Sequence, residues 1–431
     1  MQQDQLNQQL MDYIYNSPTP YHATKNAKDI FLSNGFTELL EKDKWNVENS
    51  SKYFVCRNDS SIVAFKTPKS DLSLNGFRMA GAHTDSPCLK IKPNGEIKFK
   101  NYLKFGVETY GGILLSTWFD RDLSLAGKVT GTNKKGKLES TLIDFKAPIA
   151  IVPNLAIHLN RQANSGFEIN KETHMPPICF QSFSEDDSFS FQQELLKEVQ
   201  KSSNIETILN TDLSFYDYQK PNLVGLRKDF LCSARLDNLL SSYVLIESLI
   251  QSNDEFGQLI VLNDHEEVGS NSSSGACGNM LESILKRVCT NQETLSRTID
   301  ASVMISCDNA HGIHPNFPAK HEMQHAPILN LGPAIKVNAN QKYASNCETS
   351  SIFETVANSL NIPIQKFVIR QDMACGSTIG PITATKLGIK TVDVGVPTFA
   401  MHSIRETAGT KDSYYLLQIL KAIFETKSFF N

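Results

Sequence analysis

The stretch GQLIVLNDHEEVGS, residues 257–270, joins an uninterrupted apolar run to a cluster of acidic and histidine side chains. The run has the length of a buried strand, and it ends directly at the tetrapeptide DHEE (264–267). Such runs are typical of strands that are covered on both faces, as in parallel sheets. The stretch therefore predicts a buried strand that delivers ionisable side chains to one edge of a sheet.

After residue 230, the chain alternates strand-like runs of this kind with helical patterns. Strand-like runs such as SVMISC (302–307) and TVDVGV (391–396) alternate with helical patterns such as LDNLLSSYVLIESLI (236–250) and YYLLQILKAIF (414–424). Strands separated by helices indicate βαβ units around a largely parallel sheet. We therefore expect an α/β fold.

The length of 431 residues exceeds what one compact core usually needs, so the chain is expected to divide into domains. The sequence pattern changes at about residue 94, where short predicted strands with glycine and asparagine turns begin, as in GKVTGTNKKGKLES (127–140). We expect an α/β domain built from residues 1–93 and 230–431, interrupted by an inserted β-rich domain at 94–229.

The charge balance and the cysteines exclude several classes of protein. Lysine and arginine number 42, aspartate and glutamate 46, and the net charge of −4 is not the one-signed excess that attracts nucleic acid or anionic membranes. No apolar run approaches the ~20 residues that span a bilayer, and residues 1–20 lack the features of a secretory signal. Nine cysteines without a CxxC pair fit dispersed reduced thiols. We expect a cytoplasmic protein with neither a nucleic-acid nor a membrane partner.

Residue types that bind metals follow several of the predicted strands. GFRMAGA ends at His83, SVMISC ends at Asp308, and TVDVGV is followed within a short loop by His402. Ligands of open α/β sheets bind beyond the carboxyl ends of the strands, so these positions and the DHEE tetrapeptide are expected to converge. Asp237 lies at the start of a predicted helix, near the N-cap position, where a carboxylate is also favoured locally.

Two histidines and several carboxylates above a sheet suit two zinc-like ions bridged by one aspartate. Two divalent cations bring about four positive charges, which three acidic ligands and the neighbouring Glu266 balance with about four negative ones. The residue types alone leave other interpretations open. Asp237 is compatible with a helix cap, His402 with a solvated histidine, and Glu266–Glu267 with a solvated acidic pair.

Residues 321–325, HEMQH, match HExxH, the motif of single-zinc proteases. That motif functions on a long helix, where both histidines lie on one face. Here Pro315 and Pro318 precede the motif and Pro327 follows it, so a helix would be short and marginal. We expect a loop at this position.

Ten motifs in sequence order carry a resemblance to a known family. They are SPTPYHA (17–23), GAHTDSPCLKIKP (81–93), WFDRDLSLAG (118–127), PNLAIHLNR (153–161), ARLDNLLSS (234–242), DHEEVGS (264–270), DNAHGIHPN (308–316), GPAIKVNANQKYAS (332–345), CGSTIGPI (375–382) and MHSIRE (401–406). Over nearly its whole length the chain resembles the aspartyl aminopeptidases, which are co-catalytic zinc metallopeptidases, and their bacterial branch in particular.

The resemblance implies two zinc ions per subunit, held by two sets of ligands that share one aspartate. The sets are His83, Asp237 and Asp308 for one ion, and Asp237, Glu267 and His402 for the other. Manganese and cobalt are alternatives to zinc, because cellular availability overrides the ranking of affinities.

The implied reaction is hydrolysis of the first peptide bond of peptides that begin with Asp or Glu. Glu266 resembles the general base, and Asp85 the carboxylate that orients the ligand His83. Lys336 and Tyr343 fall where the family recognises the acidic side chain, for which a cation supplies a charge-assisted contact.

The inserted domain resembles the family's dimerisation domain, which carries a histidine, here His158, into the neighbouring subunit's active site. The whole chain resembles the subunit of a dodecameric, tetrahedral homo-oligomer built from dimers. Two alternatives to this function stay open. One is a related two-metal aminopeptidase of broader or different selectivity, and the other is a catalytically silent assembly protein.

Overall fold

The computed structural model describes residues 1–69, 71–183, 189–427 and 429, and the chain forms two compact units. The first unit comprises Met1–Asp85, Pro221–Met401 and Glu406–Asn431, and the second unit comprises Ser86–Lys220 and His402–Arg405.

Helices and strands are numbered in chain order. The α-helices are α1 (Gln3–Tyr15), α2 (Pro20–Ser33), α3 (Leu72–Asn75), α4 (Lys171–His174), α5 (Phe191–Gln200), α6 (Leu236–Gln251), α7 (Met280–Val288), α8 (Gln292–Asp300), α9 (Cys347–Ser359), α10 (Ile379–Leu387) and α11 (Asp412–Phe424). The strands are β1 (Thr37–Glu38), β2 (Lys52–Arg57), β3 (Ser61–Lys66), β4 (Phe77–His83), β5 (Cys88–Phe99), β6 (Tyr102–Tyr110), β7 (Leu123–Asn133), β8 (Leu138–Asp144), β9 (Ile178–Gln181), β10 (Ile205–Asp217), β11 (Asn222–Val224), β12 (Phe230–Ser233), β13 (Gly257–Asn263), β14 (Val303–Cys307), β15 (Ala310–His311), β16 (Ala334–Lys336), β17 (Gln365–Phe367), β18 (Lys390–Gly395), β19 (Pro397–Phe399) and β20 (Glu406–Gly409).

The main sheet of the first unit has nine strands in the order β1-β2-β3-β13-β4-β14-β18-β16-β17. Its central strands β13, β4, β14 and β18 are parallel, whereas β2 and β3 form an antiparallel pair next to them. The prediction of an α/β fold with a largely parallel sheet is confirmed. The antiparallel pair arises because only three residues separate β2 from β3, and so short a connection cannot reach a parallel register.

Strand β13 is buried at every residue, because helices cover both faces of the sheet. Leu259 and Val261 pack in one apolar cluster with Ile284 of α7. Ile260 and Leu262 face the opposite side and pack in the cluster that contains α6 and α11. The continuous apolar run therefore marks a strand enclosed on two sides, as its sequence predicts.

The first unit also contains a five-stranded sheet in the order β11-β12-β20-β19-β15. Strand β12 leads through a short connection into α6, and its antiparallel partner β20 begins at Glu406. This small sheet therefore lies beside the start of α6.

The second unit is built on a six-stranded antiparallel sheet in the order β8-β7-β10-β5-β6-β9. Helix α5 packs on this sheet through Leu195 and Val199. The unit begins at Ser86 and not at residue 94, because β5 belongs to this sheet from Cys88 onward. It closes at Lys220 and not at residue 229, because β11 already pairs with β12 of the first unit.

The nine cysteines are free thiols. Among the helices of the described residues, none combines the length and the apolar character needed to cross a membrane.

Candidate metal centre

Three neighbouring strands of the main sheet end at one edge, and each is followed by or ends in a potential metal ligand. His83 is the last residue of β4, Asp308 follows β14, and the turn Glu266–Val268 follows β13. Because β13, β4 and β14 are parallel neighbours, their carboxyl ends meet at the same edge. The predicted convergence of these three segments is therefore present in the first unit.

The imidazole of His83, which is 1% exposed, faces three carboxylates through its Nε2 atom. Nε2 lies 3.5 Å from Oδ1 of Asp237, 3.6 Å from Oδ1 of Asp308 and 3.9 Å from Oε2 of Glu266. These separations exceed a normal hydrogen bond. They are close to the spacing of roughly 3.3–3.4 Å between two ligand atoms that each lie about 2.0–2.1 Å from a tetrahedral metal ion. The donor set therefore fits a divalent cation.

The donor atoms form overlapping groups. Ligand atoms of His83, Asp237 and Asp308 all lie within 4.8 Å of one another, and so do those of His83, Glu266 and Glu267. A carboxylate oxygen of Asp237 also lies within 4.8 Å of a carboxylate oxygen of Glu267. One imidazole and four carboxylates in this volume supply the nitrogen and oxygen ligands that zinc accepts.

The other ring nitrogen of His83 contacts Asp85. Nδ1 lies 3.0 Å from the main-chain oxygen of Asp85 and 3.4 Å from its carboxylate oxygen Oδ1. A proton on Nδ1 leaves the Nε2 lone pair for a metal ion, which is the tautomer that a ligating histidine needs. The orientation of His83 thus depends first on the main chain of Asp85, and the carboxylate is the more distant partner.

The carboxylate of Asp85, which is fully buried, holds the turn that follows β13. Its Oδ1 accepts a hydrogen bond from the main-chain N–H of Glu266, and its Oδ2 accepts one from that of Glu267, each at 3.1 Å. Residue 265, which precedes this turn, has a φ of 61°. Asp85 therefore fixes the main chain that carries both the expected base and an expected ligand.

Burial and the neighbouring charges shift the pKa values of the side chains at this site. Burial raises the pKa of Glu266 to about 8; the charges of Asp308, Glu267 and Asp237 add to the effect, and His83 opposes it. Burial acts to lower the pKa of His83, but Asp237, Asp308 and Asp85 outweigh it and hold the pKa well above its ordinary value. The site thus favours the binding of positive charge, either protons or cations, next to its carboxylates.

Asp237 lies at the start of helix α6 but is not its N-cap residue. The N-cap residue is Arg235, and no side chain caps the helix there. Asp237 itself has non-helical dihedral angles, and its N–H donates to Oε2 of Glu406 at 2.9 Å. Oδ1 of its carboxylate lies 3.5 Å from Nε2 of His83.

Two polar side chains of α6 anchor the helix to the ends of β14 and β4. Nδ2 of Asn238 donates to the main-chain oxygen of Cys307 at 2.8 Å, and Oγ of Ser242 donates to that of His83 at 2.7 Å. Neither residue was singled out from the sequence. Both lie in the ARLDNLLSS motif (234–242), and membership of this motif is the sequence feature that could have identified them.

Lys336, at the end of β16, is 3% exposed and pairs with Asp308. Its Nζ lies 3.0 Å from Oδ2 of Asp308 and 5.1 Å from the ring centroid of Tyr343. Burial acts to lower the pKa of Lys336, but Asp308, Tyr343 and Asp393 raise it above its ordinary value. Lys336 thus lies beside an expected metal ligand, and Tyr343 lies beside Lys336.

Two expected site residues belong to the second unit. His158 lies in an exposed segment, and His402 has its Nδ1 3.1 Å from the main-chain oxygen of Gly112. A contact of either histidine with substrate or metal remains a prediction.

The HExxH segment is not helical, as expected. The short 3-10 helix Pro318–Lys320 ends before it. His321 accepts a hydrogen bond from the main-chain N–H of His314, and Nδ1 of His325 lies 2.7 Å from Oε2 of Glu322. The two histidines therefore have separate local partners.

Taken together, these features define an α/β protein that carries a candidate site for divalent cations at the carboxyl ends of its parallel strands. Residues 13–424 match the family model described as aminopeptidase I zinc metalloprotease (M18). The chain is 52% identical over 422 residues to a protein of Pseudomonas savastanoi pv. phaseolicola named "Probable M18 family aminopeptidase 2", covering 97% of this chain and 98% of that relative.

Solved structures give the same result. The fold is similar to that in a cryo-EM structure of the Ape4 and Nbr1 complex, with a TM-score of 0.94 and 37% identity over 98% of this chain and 86% of the other. It is also similar to the S. cerevisiae mApe1 dodecamer, with a TM-score of 0.83 and 27% identity over 97% of this chain and 98% of the other. The chain belongs to the M18 family of zinc aminopeptidases.

Proposed function

We propose that this aminopeptidase removes N-terminal aspartate and glutamate from peptides with the help of two zinc ions. The observation that carries the proposal is the convergence of His83, Asp237, Asp308 and Glu266 at one edge of the main sheet, with the spacing of ligands around a metal ion. The M18 family supplies the reaction class, which is hydrolysis of an N-terminal peptide bond.

Two sets of ligands would hold the ions. His83, Asp237 and Asp308 would hold one ion, and Asp237, Glu267 and His402 the other, with Asp237 shared. The proximity of the ligand atoms of the first set and the approach of Glu267 to Asp237 support this assignment. Manganese or cobalt would be accepted by the same nitrogen and oxygen donors.

Glu266 is proposed as the general base. When bound, the zinc ions supply Lewis acidity that lowers the pKa of a water molecule and polarises the scissile carbonyl. Glu266 takes the proton from the attacking water and returns it to the leaving amine. The hydrogen bond from the main-chain N–H of Glu266 to Asp85 supports this role, because it fixes the base at the end of β13.

Lys336 and Tyr343 are proposed to select the acidic side chain of the substrate. A buried ammonium group interacts strongly with a carboxylate, and water screens the pair little. The burial of Lys336 and the 5.1 Å between its Nζ and the Tyr343 ring support a compact recognition site. The ion pair with Asp308 means that the substrate carboxylate would share this lysine with a metal ligand.

The second unit is proposed to form dimers that assemble further into a dodecamer, and to bring His158 into the partner's active site, where it would stabilise the developing oxyanion. Exposed apolar side chains flank His158 in the sequence: Leu155 is 54%, Ile157 45% and Leu159 75% exposed. Apolar side chains clustered in one exposed segment are typical of an interaction surface. The free cysteines support a reducing, cytoplasmic location.

A comparison of peptides that differ only in their first residue tests the proposal. We expect kcat/KM for release of N-terminal Asp or Glu to exceed that for Leu or Lys. Fastest release of Leu or Lys would favour an aminopeptidase of different selectivity. Absence of hydrolysis in zinc-loaded protein would favour a catalytically silent assembly protein.

A further inference from the structure

Glu406 is a buried carboxylate beside the candidate metal centre, and it belongs neither to the expected ligands nor to the expected catalytic residues. It is the first residue of β20 and is 2% exposed. Antiparallel pairing places it opposite Ser233, the last residue of β12. Because β12 leads into α6, the pairing of β20 with β12 places Glu406 near the start of that helix.

There Glu406 satisfies a main-chain group that the helix leaves without an internal partner. The first N–H groups of a helix have no intrahelical acceptor, and buried N–H groups are nearly always hydrogen-bonded. Helix α6 has no side-chain cap at Arg235. The N–H of Asp237 instead donates to Oε2 of Glu406 at 2.9 Å, across 169 residues of sequence.

This contact bears on the direction of the Asp237 side chain. Asp237 has a φ of −83° and a ψ of 105°, so the regular helix does not define its conformation. Its Oδ1 nevertheless lies 3.5 Å from Nε2 of His83, in the group of atoms that fits a metal ion. A bond from the main chain of Asp237 to a fixed, buried acceptor restrains the direction in which this carboxylate points.

We propose that Glu406 is a positioning residue for the metal centre, which sets zinc affinity by holding the main chain of Asp237. The inference rests on the proposed function in one respect, namely that Asp237 is a zinc ligand. Groups that hold metal ligands in place typically change metal affinity about 10- to 100-fold when they are removed. A carboxylate acceptor also forms a stronger bond with an N–H group than a neutral acceptor does.

The test measures zinc affinity of the full chain by competition with a chelating dye, without recourse to activity. We expect Glu406→Ala to weaken zinc binding about 10- to 100-fold. Glu406→Gln should weaken it by a smaller factor, because its amide oxygen still accepts the N–H of Asp237 but carries no charge. Wild-type affinity in a folded Glu406→Ala protein would overturn the inference, and if that variant does not fold, wild-type affinity in Glu406→Gln would do so.

Asp412 offers a matched control, because it is also a fully buried carboxylate that accepts main-chain N–H groups. It accepts those of Asn330 at 2.6 Å and Gly332 at 2.8 Å, and it is in none of the candidate metal groups. Asp412→Asn should lower the melting temperature and leave zinc affinity unchanged. If Asp412→Asn and Glu406→Ala lost zinc affinity equally, the loss would reflect general destabilisation of the fold. That result would overturn the inference. Wild-type protein that takes up no zinc would instead overturn the proposed function, and this inference with it.

Discussion

The Nζ atom of Lys336 lies 3.0 Å from Oδ2 of Asp308, and the lysine side chain is 3% exposed. A cation proposed to receive the substrate's acidic group is thus paired with a carboxylate proposed to bind metal. Removing one partner of a buried ion pair leaves an uncompensated charge. Selectivity and metal binding are therefore expected to be linked through these two residues.

Lys336→Met should reduce the preference for acidic substrates. A hydrogen bond to a charged group contributes about 1.5–3 kcal/mol, so the ratio of kcat/KM for Asp over Leu peptides should fall about 10- to 100-fold. Lys342→Met is the matched control, because Lys342 is an exposed lysine in the loop after β16 and should leave the ratio unchanged. An unaltered ratio in Lys336→Met would remove the selectivity role.

Glu266→Gln should separate catalysis from metal binding. Loss of a general base typically costs 10²- to 10⁴-fold in rate, so kcat should fall by about that factor while the zinc content per chain stays that of the wild type. Glu267→Gln should instead lower the zinc content, because Glu267 is an expected ligand. A fully active Glu266→Gln protein would contradict the assignment of the base, and so would loss of its zinc.

His158→Ala tests whether the second unit completes a neighbouring active site. Loss of one oxyanion donor typically costs about 10²- to 10³-fold in kcat. Co-expression of His158→Ala with Glu266→Gln should restore activity above that of either variant alone, because some sites of mixed dimers then contain both wild-type residues. His174→Ala, at another histidine of the second unit, should retain the wild-type rate. Mixed dimers without recovered activity would show that His158 does not act in a partner's site.

Much of the fold is predictable because local patterns define the elements of the first unit. The run GQLIVLN becomes β13 along its whole length, since burial on both faces requires an uninterrupted apolar sequence. The pattern YYLLQILKAIF becomes most of α11, because its apolar residues recur at helical spacing. The apolar pattern of KFVIR (366–370) is also typical of a strand, but β17 ends at Phe367. Arg370 instead contacts Asp372 and the main chain of Ala319.

The contacts within the candidate site are less predictable, because they join segments far apart in the sequence. The pair of Lys336 and Asp308 depends on where the ends of β16 and β14 lie in the main sheet, which neither strand's own sequence specifies. Glu406 reaches Asp237 only because β20 pairs with β12. The role of Asp85 differs from the predicted one, which was to orient His83, for a similar reason. Its carboxylate accepts hydrogen bonds from the main chain of the turn after β13, a segment far from Asp85 in the sequence.

A zinc titration of metal-free protein tests the central claim most directly, with release of N-terminal Asp from a peptide followed at each addition. The proposed two-zinc mechanism predicts negligible activity without metal and a plateau of activity at two zinc ions per chain. Full activity in metal-free protein, or a plateau at one ion per chain, would contradict it.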